Sequence, residues 1–289
     1  MADSDQSTQR FAASSNGVSV ALYDFGGTGE PLLISHATGF HGRTYLPLLP
    51  VLTQRFHVWA FDFRGHGGSS APSDGVFGWD GVADDVLAAI DEIGAPSVFA
   101  FGHSMGGAAL LGAEVKRPGT IARAYLYEPI VLPAGVFDHD ENPLAAVSRR
   151  RREVFPSKAD ALMRYATRPP LSGIRADALA AYVTHGFDDG VYDGQPGTRL
   201  ACRAENEART FEMTHEPNWE RVLAAKTPVA IAIGHLEPEA QGPAALGPSL
   251  ADALPTARLI RYENLRHFGP LQDPDGIAAD VVAFLGEGR

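Results

Sequence analysis

Ser97-Val98-Phe99-Ala100-Phe101-Gly102-His103-Ser104-Met105-Gly106 is an apolar run that ends in a glycine-x-serine-x-glycine turn. The residues that follow, 106–116, carry the small and apolar side chains of a helix. A strand that turns sharply into a helix at a serine leaves no room for larger side chains two residues to either side, because the strained backbone brings neighbouring chain close. Gly102 and Gly106 meet that requirement. Such a turn holds the Ser104 hydroxyl at the edge of the sheet and places the first amides of the helix behind it, where an oxyanion would develop. A mere turn serine would not need the strand, both glycines and the helix together, so Ser104 is read as a nucleophile.

Outward from this turn the pattern repeats. Strand-like runs at 18–23, 31–35, 57–62, 123–127, 228–233 and 258–262 are separated by helical stretches such as 81–93, whose Val82, Val86, Leu87 and Ile90 fall on one face. Near-continuous apolar strands alternating with helices predict an α/β fold with a mostly parallel sheet flanked by helices. Between 132 and 221 the strand signals lapse and short helical patterns at 159–165 and 176–182 take over. This reads as an insertion, giving a core of 1–131 with 222–289 and a helical cap, or lid, of 132–221. Leaving from the carboxyl edge of the sheet, it would close a pocket over Ser104.

Composition narrows the class of partner. The 289 residues carry 35 acidic and 24 basic side chains, a formal charge of −11, which repels phosphate backbones and argues against nucleic acid. Cys202 is the sole cysteine, so no intrachain disulfide forms, and it is read as a small packed side chain. Residues 1–17 are polar and lack the apolar segment of a secretory signal, and no stretch approaches the roughly 20 apolar residues of a membrane span. The expectation is a cytoplasmic protein with no membrane partner, with a homodimer left open. The ten histidines are scattered without zinc-like spacing, and the glycine-rich stretches fit neither nucleotide-binding pattern, so no metal and no cofactor are expected.

Four passages together resemble the α/β-hydrolase-fold enzymes, in the capped branch that holds epoxide hydrolases and haloalkane dehalogenases. They are Ser35-His36-Ala37-Thr38-Gly39-Phe40, Asp62-Phe63-Arg64-Gly65-His66-Gly67, the turn at Ser104, and His267-Phe268-Gly269-Pro270. The resemblance covers nearly the whole chain and implies an eight-stranded type of sheet. It puts the catalytic histidine at His267, between the last expected strand and the terminal helix, with small Gly269 giving that loop freedom to aim it. For the third member, a carboxylate that fixes the imidazole tautomer, two glutamates compete. Glu128 ends the run 123–127 before Pro129, a location some haloalkane dehalogenase-like members use; Glu237 follows the run 228–233, where most members carry aspartate. The oxyanion donors implied are the backbone N–H groups of Met105 and Thr38. His36, Asp62, Arg64 and His66 are read as loop braces. Phe40, His41, Met105, Tyr182, His185 and His215 are candidates to face the substrate, and the arginine run 149–152 is read as a solvated helix face rather than an anion site.

Serine stands where epoxide hydrolases and haloalkane dehalogenases attack with aspartate, which sets those two reactions aside. The expected activity is that of a carboxylesterase- or lactonase-like serine hydrolase, cleaving a small or medium ester through an acyl-enzyme on Ser104. Carbon–carbon bond hydrolysis and cofactor-free perhydrolase or lyase chemistry on the same three residues remain alternatives. From a different class, so does a catalytically silent ligand-binding protein.

Overall fold

Eight strands form one sheet in the computed structural model, which describes residues 7–134, 142–216, 218–234 and 243–287. They are β1 (Thr8–Ala13), β2 (Ser19–Asp24), β3 (Pro31–Ser35), β4 (His57–Phe61), β5 (Val98–His103), β6 (Ile121–Tyr127), β10 (Val229–Ile233) and β11 (Ala257–Arg261), in the order β1-β2-β4-β3-β5-β6-β10-β11. The pairs β1–β2 and β2–β4 are antiparallel, and the rest are parallel. Every residue of β5 is buried, as its central place requires. Side chains alternate across the sheet: Leu33 joins one core cluster, while its neighbours Leu32 and Ile34 join the other. On the first face, Val82, Val86 and Ile90 of the helix Trp79–Ile93 are buried beside the helix Met105–Lys116. Ile277, Val281 and Phe284 of the helix Pro274–Leu285 cover the other face.

Two expectations need correction. The polar N-terminal stretch contains β1, which composition alone does not reveal because it is an edge strand with only Ala12 buried. The segment 132–221 is not purely helical either. It holds a three-stranded antiparallel sheet of β7 (Val154–Phe155), β8 (Phe187–Tyr192) and β9 (Gln195–Leu200), in the order β7-β9-β8. These strands are short and rich in glycine, aspartate and proline, so they lack the apolar signature of the main sheet. Their signal was local: Asp193-Gly194 forms a two-residue turn with φ of 52° and 77°, the left-handed pair that a tight hairpin needs.

Cys202 is buried, and burial pushes its thiol pKa well up. Among the described residues no helix is long and apolar enough to cross a membrane.

Candidate active site

Ser104 sits between β5 and the helix Met105–Lys116 with φ 57° and ψ −121°, a conformation few non-glycine residues adopt. Its N–H donates to the carbonyl of Tyr127 at 2.9 Å, and its carbonyl accepts from the amides of Gly107 at 3.0 Å and Ile130 at 3.2 Å. Both flanking glycines are required by close approach. A Cβ on Gly106 would lie 2.1 Å from the Ser35 carbonyl oxygen, and one on Gly102 would lie 2.7 Å from Gly107 Cα.

At the end of β6, Glu128 is 2% exposed and also left-handed, with φ 44°. Its amide still donates to Ala232 on β10 at 2.8 Å, so the turn begins without breaking the sheet. The carboxylate accepts from the Gly234 amide at 2.8 Å through Oε1 and meets His267 Nδ1 at 2.6 Å through Oε2. A buried carboxylate demands such partners. The bond assigns the proton to Nδ1 and leaves the Nε2 lone pair available. Of the two competing glutamates the structure brings Glu128 to the histidine, while Glu237 lies outside the described residues. The end of β10 contributes a backbone N–H, that of Gly234, in support of Glu128. Ser104 and His267 line one cavity, and among the described residues Ser104 Oγ makes no hydrogen bond.

The loop carrying His267 is tied at two carbonyls. Tyr127 donates its hydroxyl to Arg266 O at 2.8 Å, and His103 donates from Nε2 to His267 O at 2.7 Å. His103 accepts in turn from the Tyr45 hydroxyl at 2.7 Å, whose oxygen receives the Ala37 amide at 3.2 Å. Burial first, and then the nearby His267, hold the His103 imidazole well below its usual pKa, so it is neutral, as a ring with one donor and one acceptor must be. Sequence reasoning passed over His103 because it fills a variable position of the serine motif. The smallness of Gly269 serves clearance rather than freedom, since a Cβ there would lie 2.1 Å from the Tyr127 hydroxyl oxygen.

The amides of Thr38 and Met105 meet no acceptor among the described residues, and Thr38 Oγ1 lies 3.5 Å from Met105 Sδ. Next to Thr38, Gly39 has φ 78°, and a Cβ there would lie 2.5 Å from Glu207 Oε1. The loop is braced as the sequence suggested. His36 Nδ1 donates to Ala37 O at 2.8 Å and its Nε2 accepts from the Phe63 amide at 2.9 Å. Asp62 accepts from the amides of Gly42 and Gly68 at 2.7 and 2.8 Å, and Arg64 grips Asp85 through Nε and Nη2 at 2.9 and 2.8 Å. His66 Nδ1 donates to Arg64 O at 2.9 Å.

The cavity in front of Ser104 has a volume of about 540 Å³. Thr38, Phe40, His267 and Phe268 come to it from the sheet side; Leu144, Val147, Leu171, Tyr182 and Phe211 come from the segment between β6 and β10. Phe40 and Tyr182 line the cavity, whereas His41, His185 and Met105 do not. His41 is buried behind Tyr182, its ring stacked at 5.8 Å and its Nε2 3.1 Å from the Tyr182 carbonyl; burial lowers its pKa to about 4. His185 closes the helix Ala176–His185 away from the cavity wall, and the side chain of His215 lies outside what the structure describes. The arginine run also needs correction. Arg149 pairs at the surface, with Glu205 and Glu212, and Arg150 and Arg152 are exposed as expected, but Arg151 is drawn inward against Glu207, and residues 150–152 all border the cavity. Four consecutive arginines cannot share one face when the helix Pro143–Arg149 ends at the first of them.

Known proteins give the same picture of the fold. The profile of the family described as "Alpha/beta hydrolase family" matches residues 32–280. The bifunctional esterase/perhydrolase DCH of Acinetobacter calcoaceticus is 25% identical over an alignment of 298 residues, covering 95% of this chain and 99% of that protein. The (E)-2-((N-methylformamido)methylene)succinate hydrolase of Acinetobacter baylyi is 32% identical over 97 residues, 34% of this chain and 36% of its own length. A crystal structure of E-2-(acetamidomethylene)succinate hydrolase superposes with a TM-score of 0.77 at 20% identity, covering 97% of this chain and 100% of that one.

Proposed function

The chain belongs to the alpha/beta hydrolase family, and on that premise we propose that it is a serine hydrolase that cleaves a small or medium carboxylic ester through an acyl-enzyme. The observation that carries this reading is a serine held at positive φ on a strand end, sharing one cavity with a histidine whose Nδ1 is bonded to a buried glutamate. His267 Nε2 takes the proton as Ser104 Oγ attacks the ester carbonyl. The Thr38 and Met105 amides then receive the oxyanion. His267 returns the proton to the departing alcohol, and water activated by the same nitrogen releases the acid. Glu128 keeps Nδ1 protonated and stabilises the imidazolium; general-base help of this kind is typically worth about 10²–10⁴-fold. The residues between β6 and β10 serve as the cap, bounding the space for the substrate. The esterase/perhydrolase relative, matched over nearly its whole length, supports ester chemistry.

Intact-mass labelling with a fluorophosphonate tests this directly. The native chain should gain one adduct, Ser104→Ala none, and His267→Ala should label at least 100-fold more slowly, roughly the value of the general base. Labelling of Ser104→Ala, or ester turnover retained by it, refutes the assignment.

A further inference from the structure

Five arginines stand in the cavity wall against one carboxylate: Arg150, Arg151, Arg152, Arg164 and Arg168 face Glu207 alone among the described residues. That surplus is local, because the whole chain carries 35 acidic against 24 basic side chains. Many arginines elsewhere are met by acid, as Arg64 is by Asp85, Arg117 by Asp91 and Arg175 by Asp177 and Asp275, while the others without a carboxylate among the described residues, such as Arg10 and Arg199, are scattered and not gathered round one cavity. Within the wall, Arg151 is consumed structurally. It binds Glu207 at 2.5 Å and the Tyr182 hydroxyl at 2.7 Å, and together they pack beside Gly39 of the oxyanion loop. Arg152 donates to Val154 O and lies over the Phe155 ring. Arg150, Arg164 and Arg168 are left with no carboxylate partner among the described residues. Three guanidiniums without a carboxylate partner among the described residues, Arg164 half-buried and Arg150 and Arg168 exposed, make a positive rim that an anion would neutralise.

The remainder of the wall fixes what kind of anion. Phe40, Leu144, Leu171, Phe211 and Phe268 are apolar, so the bound molecule has a hydrocarbon body as well as a charge. We infer that the cavity takes an ester whose non-reacting end carries a carboxylate, held by Arg150, Arg164 and Arg168 while the ester carbonyl lies at Ser104. The planar guanidinium fork matches a carboxylate in two-point contact. This rests on the serine hydrolase reading. In the reaction one half-ester and one water give an alcohol and a dicarboxylate and release one proton, so turnover can be followed by titration.

The test compares monoethyl and diethyl esters of glutaric and adipic acid at low ionic strength. A cavity that merely buried hydrocarbon would favour the diester. We expect kcat/KM for the half-ester to exceed that for the diester by about tenfold or more, the scale of one charged hydrogen bond, and to fall as salt is raised. In Arg164→Gln/Arg168→Gln the half-ester to diester ratio should drop about tenfold. Arg149→Gln, which alters an arginine outside the cavity wall, should leave the ratio alone. Equal use of the two esters, or equal losses on both in the double variant, overturns the inference. Fluorophosphonate labelling of the same samples separates the levels: a labelled Ser104 with no preference for charge removes only the carboxylate, whereas no labelling and no turnover removes the hydrolase reading and the inference with it.

Discussion

The two sides of the cavity are held in place by different forces. On the sheet side, Ser104 and Glu128 sit at positive φ, their amides bonded to Tyr127 O and Ala232 O, with chains crossing so closely that Gly106 has no space for a Cβ. On the facing side, outside the small sheet of β7 to β9, position depends on ion pairs and packed rings. Arg149 pairs with Glu205 and Glu212, Arg151 with Glu207, and Tyr182 packs against Phe40, Tyr165 and Phe187. Backbone hydrogen bonds between strands fix atoms to a fraction of an ångström and admit few alternatives. Exposed side-chain ion pairs such as those of Arg149 tolerate exchange at roughly 0.2–1 kcal/mol each. The first arrangement suits chemistry, which fails when groups shift by about 1 Å; the second suits a surface that determines which molecule enters.

The largest effect should come from the sheet side, at Glu128. Glu128→Gln keeps the shape and can still accept the Gly234 amide, but it offers an N–H or a neutral oxygen to His267 Nδ1 and no longer stabilises the imidazolium. We expect kcat/KM to fall about 10³–10⁴-fold with little change in KM, as neutralising the acid of a triad does. Activity within tenfold of the native chain would place the supporting carboxylate elsewhere, and with it the contrast between the two sides.

That same contrast explains what could be read from the sequence. The core strands and the serine turn were legible because burial on both faces forces apolar runs, and because the turn demands small residues at fixed positions. His267 was legible by its place in the chain order. Between Glu128 and Glu237, which both follow strands, the sequence favoured Glu128 only slightly, because a carboxylate ending a buried strand needs a partner; the 2.6 Å contact with His267 Nδ1 supplies that partner. His103 was invisible because its hydrogen bonds go to a carbonyl and a distant hydroxyl, Tyr45. On the facing side the errors cluster: β7 to β9 were missed, His41 and His185 were placed in the cavity, and Arg151 was read as solvated. Partners distant in sequence fix that region, Glu207 for Arg151 and Arg199 on β9 for Val154 on β7, and a local pattern carries no record of them.

Next in size is Gly106→Ala. With the new Cβ 2.1 Å from the Ser35 carbonyl oxygen, β3 or the helix must move, and neither end is a flexible side chain. Overpacking of this kind costs about 1–3 kcal/mol. A urea midpoint unchanged by the substitution would show that the sheet side is more adaptable than its geometry implies.

A smaller effect concerns pH. His36, His41, His66 and His103 are buried with lowered pKa values, each chiefly by loss of solvation, and His41 falls to about 4. Below a pKa of about 6.5 the unfolded chain takes up a proton at each of these rings and the folded chain does not. Stability therefore falls as pH drops through that value, with a slope of up to about 1.4 kcal/mol per pH unit for each group. For His41 the loss runs from about pH 6.5 down to about pH 4, where the folded ring begins to protonate. His41→Gln, which can keep a donor toward the Tyr182 carbonyl, should lessen the slope by about one such increment. An unaltered slope would mean that His41 titrates normally and that the junction of the two sides is open to water.

The smallest expected change tests the facing side with the same substitution used on the first. Gly194 has φ 77° in the hairpin turn, and a Cβ there would meet nothing within 4 Å. Gly194→Ala therefore pays only for a left-handed alanine, about 1 kcal/mol. The turn lies at the far end of β8 from Phe187, the residue of that strand that packs on Tyr182, so the strain has a full strand in which to dissipate. Fluorophosphonate labelling of Ser104 should stay within twofold of the native rate. Should Gly194→Ala instead slow labelling tenfold, the hairpin and the cavity wall move as one piece, and the facing side is as tightly specified as the sheet edge it covers.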